Sequence, residues 1–390
     1  MKKKISLLTL LALFLGIIAG IFLPSFVRLI SFVGTIYINL LKFMIAPIIF
    51  CSIVPTVYES VFRKDNVIYK AIATYVAMFL ATYLLMSLLV IIINPSQGFS
   101  FPAMIWDGTA QTLSLKEILI NLFPANLITI FMETKLFPII LLAYMTGLCS
   151  FKINDGDKVI KAVVLLRDLF FKMLEYIMYL TPFAVFSLIG NTIAYYGLVI
   201  VGVGLRYIGM AYLGGLATIL IVMILPVWIL TGIHPLAYLL KVYKVWLVSL
   251  TTCSSAATLP TTMKTCKEEF SVSEEICDIV SPLGCTIHMC GGAVSFALLG
   301  IFCCRMYGIQ IDLVKYLTMI LSALLINMSA PGIPNGGVVI GASYLALLGV
   351  PLDFIGFYSG LYKILDMLYT TLNVTGNITA NVILNRFYRK

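Results

Sequence analysis

Residues 5–23, 71–93 and 208–230 are predominantly apolar and contain no charged side chain. A helix needs about 20 such residues to cross a bilayer. Lipid offers the backbone no hydrogen bonds, so a chain with several such runs must fold into helices or a closed barrel. Continuous apolar blocks exclude the barrel, whose strands alternate. Composition points the same way, with 61% hydrophobic and 11% charged residues and a mean hydropathy of +1.05. The fold class is therefore an all-α multi-pass membrane protein, not a soluble enzyme.

The net charge of +9 needs no nucleic acid partner to explain it. Lys2–Lys4, Arg63/Lys64/Lys70, Lys152/Lys158/Lys161, Lys241/Lys244 and Arg386/Arg389/Lys390 recur at alternate ends of the apolar segments. The loop 191–197 is uncharged and 95–115 holds only Asp107. By the positive-inside rule both termini are expected in the cytoplasm, with an even number of full spans in a prokaryotic plasma membrane. The basic start followed by an apolar run imitates a signal peptide. The run is long, however, and residues 20–27 (GIFLPSFV) make a poor cleavage site, so an uncleaved first span is expected. Of the nine cysteines, seven lie between Cys253 and Cys304. The Cys285, His288, Cys290 spacing suggests a metal site, but no further ligand completes a tetrahedral set, and membrane cysteine behaves as a small hydrophobe.

Hydropathy places spans near 5–24, 27–55, 67–93, 117–150, 162–190, 198–230, 276–304 and 352–385. Two other apolar stretches are interrupted by small polar residues: 250–260 reads LTTCSSAATLP and 327–337 reads NMSAPGIPNGG. Unpaired backbone survives in a membrane only inside protein or against a watery cavity. Segments 236–268 and 313–349 each hold two short helices around the break, which predicts two re-entrant hairpins of opposite orientation. Paired broken segments of this kind point to a transporter's binding site. The span after the first hairpin is itself broken at 288–292 (HMCGG), where the glycines serve either close packing or an unwound turn.

In the last span, Asp366, Tyr369, Thr370, Asn373 and Asn377 lie along one helical face. A central Asp costs about 2.5–3.5 kcal/mol on insertion scales, which makes it a functional candidate. The plainer reading is a buried pair with Lys363.

On these motifs the chain resembles the dicarboxylate/amino-acid:cation symporters, the family of sodium-coupled glutamate and aspartate transporters. The likeness also covers 41–50 (LKFMIAPIIF), 122–126 (LFPAN), 180–186 (LTPFAVF), 253–260 (CSSAATLP), 282–289 (PLGCTIHM), Gly332-Ile-Pro334, 365–367 (LDM) and 373–376 (NVTG). The resemblance implies a homotrimer in contact with lipid, and eight transmembrane helices plus two re-entrant hairpins with inverted repeats. It implies an elevator in which a scaffold (1–66 and 95–197) supports a mobile transport domain (67–94 and 198–390). The implied substrate site comprises Ser254, Ser255, Met289, Ile333, Gly336, Gly337, Asp366, Tyr369, Thr370 and Asn373. Within it Ser255 and Asn373 hold an α-carboxylate, Asp366 holds an α-ammonium, and the backbone around Ile333 and Gly337 closes over the ligand.

The chain departs from that family at its ion sites. The family's Asn-Met-Asp-Gly-Thr reads His288 to Gly292, so Cys290 stands where a sodium-ligating Asp is expected and Gly292 replaces a substrate-facing Thr. Asn377 replaces a second such Asp. On the third span Met78 and Phe79 fall where a Thr-Ser ligand pair is expected, while Tyr75 is retained. A hard cation prefers oxygen ligands to a thiol, although a Na+ site of backbone carbonyls leaves no sequence trace. The side-chain pocket changes too, with Tyr369 in place of an Arg and Tyr362 in place of its supporting Asp. Loss of both partners leaves neither as an unpaired buried charge.

Lys363 and His288 are gains. Lys363 either replaces a coupling cation or snorkels to the interface; His288 either carries a proton or is hydrogen-bonded to backbone. The candidate coupling set is thus Tyr75, His288, Cys290, Lys363, Asn373 and Asn377, with Na+ or H+ as the ion and no cofactor. The expected function is secondary transport of amino acids, neutral ones preferred over acidic. Alternatives are a sodium-coupled dicarboxylate, glutamate or aspartate symporter, or an uncoupled exchanger or channel-like relative. No hydrolase motif or nucleotide-binding loop is present.

Overall fold

The computed structural model describes residues 2–62, 66–98, 126–132, 136–328 and 336–388, and every regular element among them is a helix. α1 (Lys2–Phe22) leads into a short α2 (Pro24–Leu29) and a long α3 (Ser31–Phe62). The chain bends by 116° where Pro24 begins α2, because the residue before a proline is pushed out of the helical region. α3 runs past the span expected at 27–55, since Pro47 and Pro55 sit inside it without ending it. Neighbouring helices commonly re-satisfy the freed carbonyls in such proteins.

α4 (Asn66–Ile93), α5 (Leu127–Met132) and α6 (Leu136–Lys152) follow, and the span expected at 117–150 falls partly outside the described residues. The single helix expected at 162–190 is instead two, α7 (Gly156–Met178) and α8 (Thr181–Tyr196), meeting at 55°. Pro182 in the first turn of α8 cannot donate back into α7. α9 (Val199–Ala217) widens into a π-helix over Thr218–Ile224 and continues as α10 (Leu225–Thr231). Pro226 explains the widening, because it has no N–H for the Val222 carbonyl and its ring crowds that group.

Two helix pairs fold back on themselves at the polar breaks. α11 (Pro235–Thr252) and α12 (Ser255–Glu268) form the first, and α15 (Leu313–Met328) and α16 (Gly336–Leu347) the second. Each pair is closed at its open end in the same way. Near the start of α11, Lys241 donates to the Glu269 carbonyl beyond the end of α12, and Lys244 lies 3.5 Å from the Glu269 carboxylate. At the start of α15, Lys315 donates to the Leu348 carbonyl just beyond α16. A lysine on the last carbonyls of a returning helix satisfies orphan acceptors and favours the negative end of its dipole.

Between the hairpins, α13 (Glu274–Ile287) and α14 (Cys290–Met306) are separated by His288 and Met289, which are non-helical. α14 is buried along nearly its whole length and packs against α4, α9 and α15. It also packs against α17 (Asp353–Tyr388), a single helix of 36 residues. Elsewhere α1 meets α8 through backbone: a Cβ on Gly20 would lie 2.6 Å from the Gly190 carbonyl oxygen, and one on Gly16 3.0 Å from that of Phe186. Small residues four apart permit this close approach between membrane helices. Among the described residues, Val67–Ile93, Val199–Thr231 and Glu274–Met306 can each cross a membrane by length and composition, and the two bent pairs raise that number to five if each counts as one span.

Candidate functional site

The tip of the first hairpin, residues flanking the break in the second, the break between α13 and α14, and the middle of α17 line one cavity of about 60 Å³. A single buried water needs about 10–15 Å³ on this measure, so the space suits a small ligand. The first hairpin contributes Cys253 and Ser255, and the broken span Met289, Gly292, Ser295 and Phe296. The second hairpin adds Asn327, Gly337 and Ile340, while α17 contributes Tyr362, Asp366, Tyr369, Thr370 and Asn373.

Three helices begin at this cavity: α12 at Ser255, α14 at Cys290 and α16 at Gly336. Helix N-termini carry orphan N–H groups and about half a positive charge, and so favour an anionic group. Asp366, 5% exposed, is the carboxylate among the lining residues. One anion facing three positive dipole ends matches a zwitterion, with the ammonium at Asp366 and the carboxylate at the helix starts. Asn373 is oriented for the same task. Its Oδ1 accepts from the Gly291 N–H at 2.8 Å, which leaves the amide nitrogen as a donor.

The site residues expected from sequence are therefore partly gathered. Ser255, Met289, Gly337, Asp366, Tyr369, Thr370 and Asn373 line one space. Ser254 does not line it: its side chain accepts from the Ala257 N–H at 3.2 Å and caps α12. Gly336 opens α16 next to Gly337, and Ile333 lies outside the described residues. Cys253, Ser295, Phe296, Asn327 and Ile340 were not anticipated. Only Asn327 carried a signal, a carboxamide at the edge of an apolar run.

The Lys363–Asp366 pairing considered from sequence gives way to a different contact: Lys363 Nζ donates to Cys253 Sγ at 3.1 Å. Lys363 therefore reaches inward to the hairpin tip and does not snorkel. Cys253 is held in the left-handed region at φ 49°, a conformation that costs a non-glycine residue about 1–2 kcal/mol. At the second break, Gly291 serves packing, since a Cβ there would lie 2.2 Å from the Tyr369 carbonyl oxygen.

The residues at the expected sodium sites form a neutral network beside the cavity. The Tyr75 hydroxyl sits 2.9 Å from the Val280 carbonyl and 3.0 Å from Asn377 Oδ1. Asn377 Nδ2 donates to the Ser281 carbonyl at 2.8 Å, and Asn381 Nδ2 donates to Asn377 Oδ1 at 3.1 Å. Thr82 donates to Cys290 Sγ at 3.6 Å. Met78 and Phe79 are buried. His288, 2% exposed, stacks on Tyr75 with ring centroids 4.6 Å apart. Neither of its ring nitrogens has a hydrogen-bond partner among the described residues, so the backbone-bonded alternative does not apply.

Residues 5–387 match the family model described as the sodium:dicarboxylate symporter family. The chain belongs to that family. It is 23% identical to a proton/glutamate-aspartate symporter of Bacillus subtilis, over 96% of this chain and 92% of the relative. It is 26% identical to a proton/sodium-glutamate symport protein of Bacillus caldotenax, over 93% and 89%. A C4-dicarboxylate transport protein of Ralstonia nicotianae is 26% identical, over 87% and 81%. The chain is thus a membrane protein of a transporter family, not of an enzyme family, with a small-molecule substrate.

Proposed function

We propose that this symporter-family member is a secondary transporter of small neutral amino acids, coupled to protons. Eight spans and two re-entrant hairpins, arranged as a scaffold and a moving transport domain in each subunit of a trimer, are the architecture of this reading. Both termini face the cytoplasm of a prokaryotic cell.

One observation carries it: a cavity with three helix starts whose described lining residues include a single carboxylate, the Tyr362 and Tyr369 phenols and no arginine. The carboxylate and dipoles suit the α-groups of an amino acid. A second carboxylate on the substrate would find no arginine or lysine among the described lining residues, and the Lys363 ammonium beside the site is engaged with Cys253 Sγ; a buried charge without its own partner is unfavourable. The cavity volume adds a limit on size. The proton assignment is supported by the neutral Tyr75–Asn377 network, which offers no carboxylate to a metal cation among the described residues. A carboxylate-free cage attracts a hard cation weakly.

Thermal unfolding of the purified protein tests the reading. Alanine or serine in hundredfold excess over its dissociation constant should stabilise the protein by about 2.7 kcal/mol. Asp366→Asn should abolish the shift. A larger shift with aspartate or glutamate than with serine would contradict the neutral-substrate assignment.

A further inference from the structure

Among the polar side chains lining the cavity, Asn327 and Tyr369 each keep a buried polar atom without a hydrogen-bond partner among the described residues, and of the two Asn327 carries both donors and an acceptor. Asn327, near the end of α15, is 2% exposed and lines the cavity. Its Oδ1 is buried without a hydrogen-bond partner among the described residues. Buried polar groups in native proteins are nearly always paired, so an orphan facing a cavity points to a ligand or to water that a ligand displaces.

The position of this carboxamide depends on a second helix. A Cβ on Gly292 would lie 2.0 Å from Asn327 Oδ1, so a side chain at 292 would displace the carboxamide from this position. Gly292 and Asn327 belong to α14 and α15, whereas Ser255 belongs to α12, and Asp366 and Asn373 to α17. The residues suited to the α-groups and this pair therefore come from different elements around one small space.

We propose that the Asn327 carboxamide, seated against Gly292, reads the side chain of the transported amino acid and selects a hydroxyl over an isosteric methyl. This rests on reading the cavity as an amino-acid site. A carboxamide presents one acceptor and two donors without charge, and a hydroxyl both donates and accepts. A methyl in the same place displaces water without replacing its hydrogen bond, which lowers affinity. A carboxylate only accepts, and finds no cation on the lining residues. Sites built to hydrogen-bond a hydroxyl reject the analogue that lacks it, because the buried partner is left orphaned.

Serine and 2-aminobutyrate differ only in hydroxyl against methyl and form the test pair. Equilibrium binding to the purified wild-type protein should favour serine by roughly tenfold or more. In Asn327→Ala that ratio should fall to within about twofold. Gly292→Ala, which must push the carboxamide aside, should give the same collapse, and either variant suffices if the other fails to fold. A wild-type ratio near one overturns the subsite alone, as does an undiminished ratio in a folded variant. A wild-type protein that binds neither ligand but binds aspartate overturns the amino-acid reading beneath it, and the subsite with it.

Discussion

Replacing Asn377 by aspartate restores a charge where the network is now neutral, and the structure sets the size of the effect. Asn377 is 3% exposed. Its Nδ2 donates to the Ser281 carbonyl at 2.8 Å, while its Oδ1 lies 3.0 Å from the Tyr75 hydroxyl and 3.1 Å from Asn381 Nδ2. Aspartate is nearly isosteric and keeps both contacts at Oδ1. At the other end an ionised oxygen faces the Ser281 carbonyl, turning a donor–acceptor pair into two acceptors. An uncompensated buried charge destabilises by about 3–5 kcal/mol. Asn377→Asp should therefore lose that much stability in choline chloride and recover part of it in sodium chloride. Sodium at one hundred times its dissociation constant returns about 2.7 kcal/mol. Wild type has no such charge here and should show no comparable rescue from this position. Unfolding of both proteins in detergent, in paired choline and sodium buffers of equal ionic strength, reads the difference. An Asn377→Asp protein as stable as wild type in choline, and indifferent to sodium, would refute the reasoning that this network is closed and neutral.

Gly291→Ala should lower folded yield and destabilise by about 1–3 kcal/mol or more, because the new Cβ meets the Tyr369 backbone at 2.2 Å; wild-type melting behaviour would contradict that packing. Tyr369→Arg alone buries an unpaired guanidinium and should destabilise, whereas adding Tyr362→Asp should relieve it and raise aspartate affinity roughly tenfold or more. Equal aspartate binding in wild type and double variant would count against the pocket assignment. Lys315→Met and Lys241→Met each remove a charged hydrogen bond worth about 1.5–3 kcal/mol, and amides of the corresponding hairpin should then exchange faster. Unchanged protection would show that the lysines do not close the hairpins.

The hairpins were legible because their signal is local: polar, backbone-exposing residues in apolar runs. The face of α17 was legible for the same reason, since helical spacing alone aligns Asp366, Tyr369, Thr370 and Asn373. The break at Pro24 matches the gap expected between spans 5–24 and 27–55, whereas the bend before Pro182 was missed because hydropathy sums across a break without registering direction. Ser254 caps α12 and is not among the described lining residues; a hydroxyl at a helix start serves a cap or a ligand equally well in sequence. The Asn327–Gly292 match and the Lys363–Cys253 contact join separate elements, and no spacing in one segment reveals which small residue makes room for which large one.

Uptake into proteoliposomes tests the central claim most directly. Serine, alanine, aspartate and glutamate are offered under an inward proton gradient in choline, or an inward sodium gradient at constant pH. The account predicts concentrative uptake of serine or alanine driven by the proton gradient without sodium, and little uptake of aspartate or glutamate. Accumulation of aspartate or glutamate that requires inward sodium and ignores the pH gradient would contradict it.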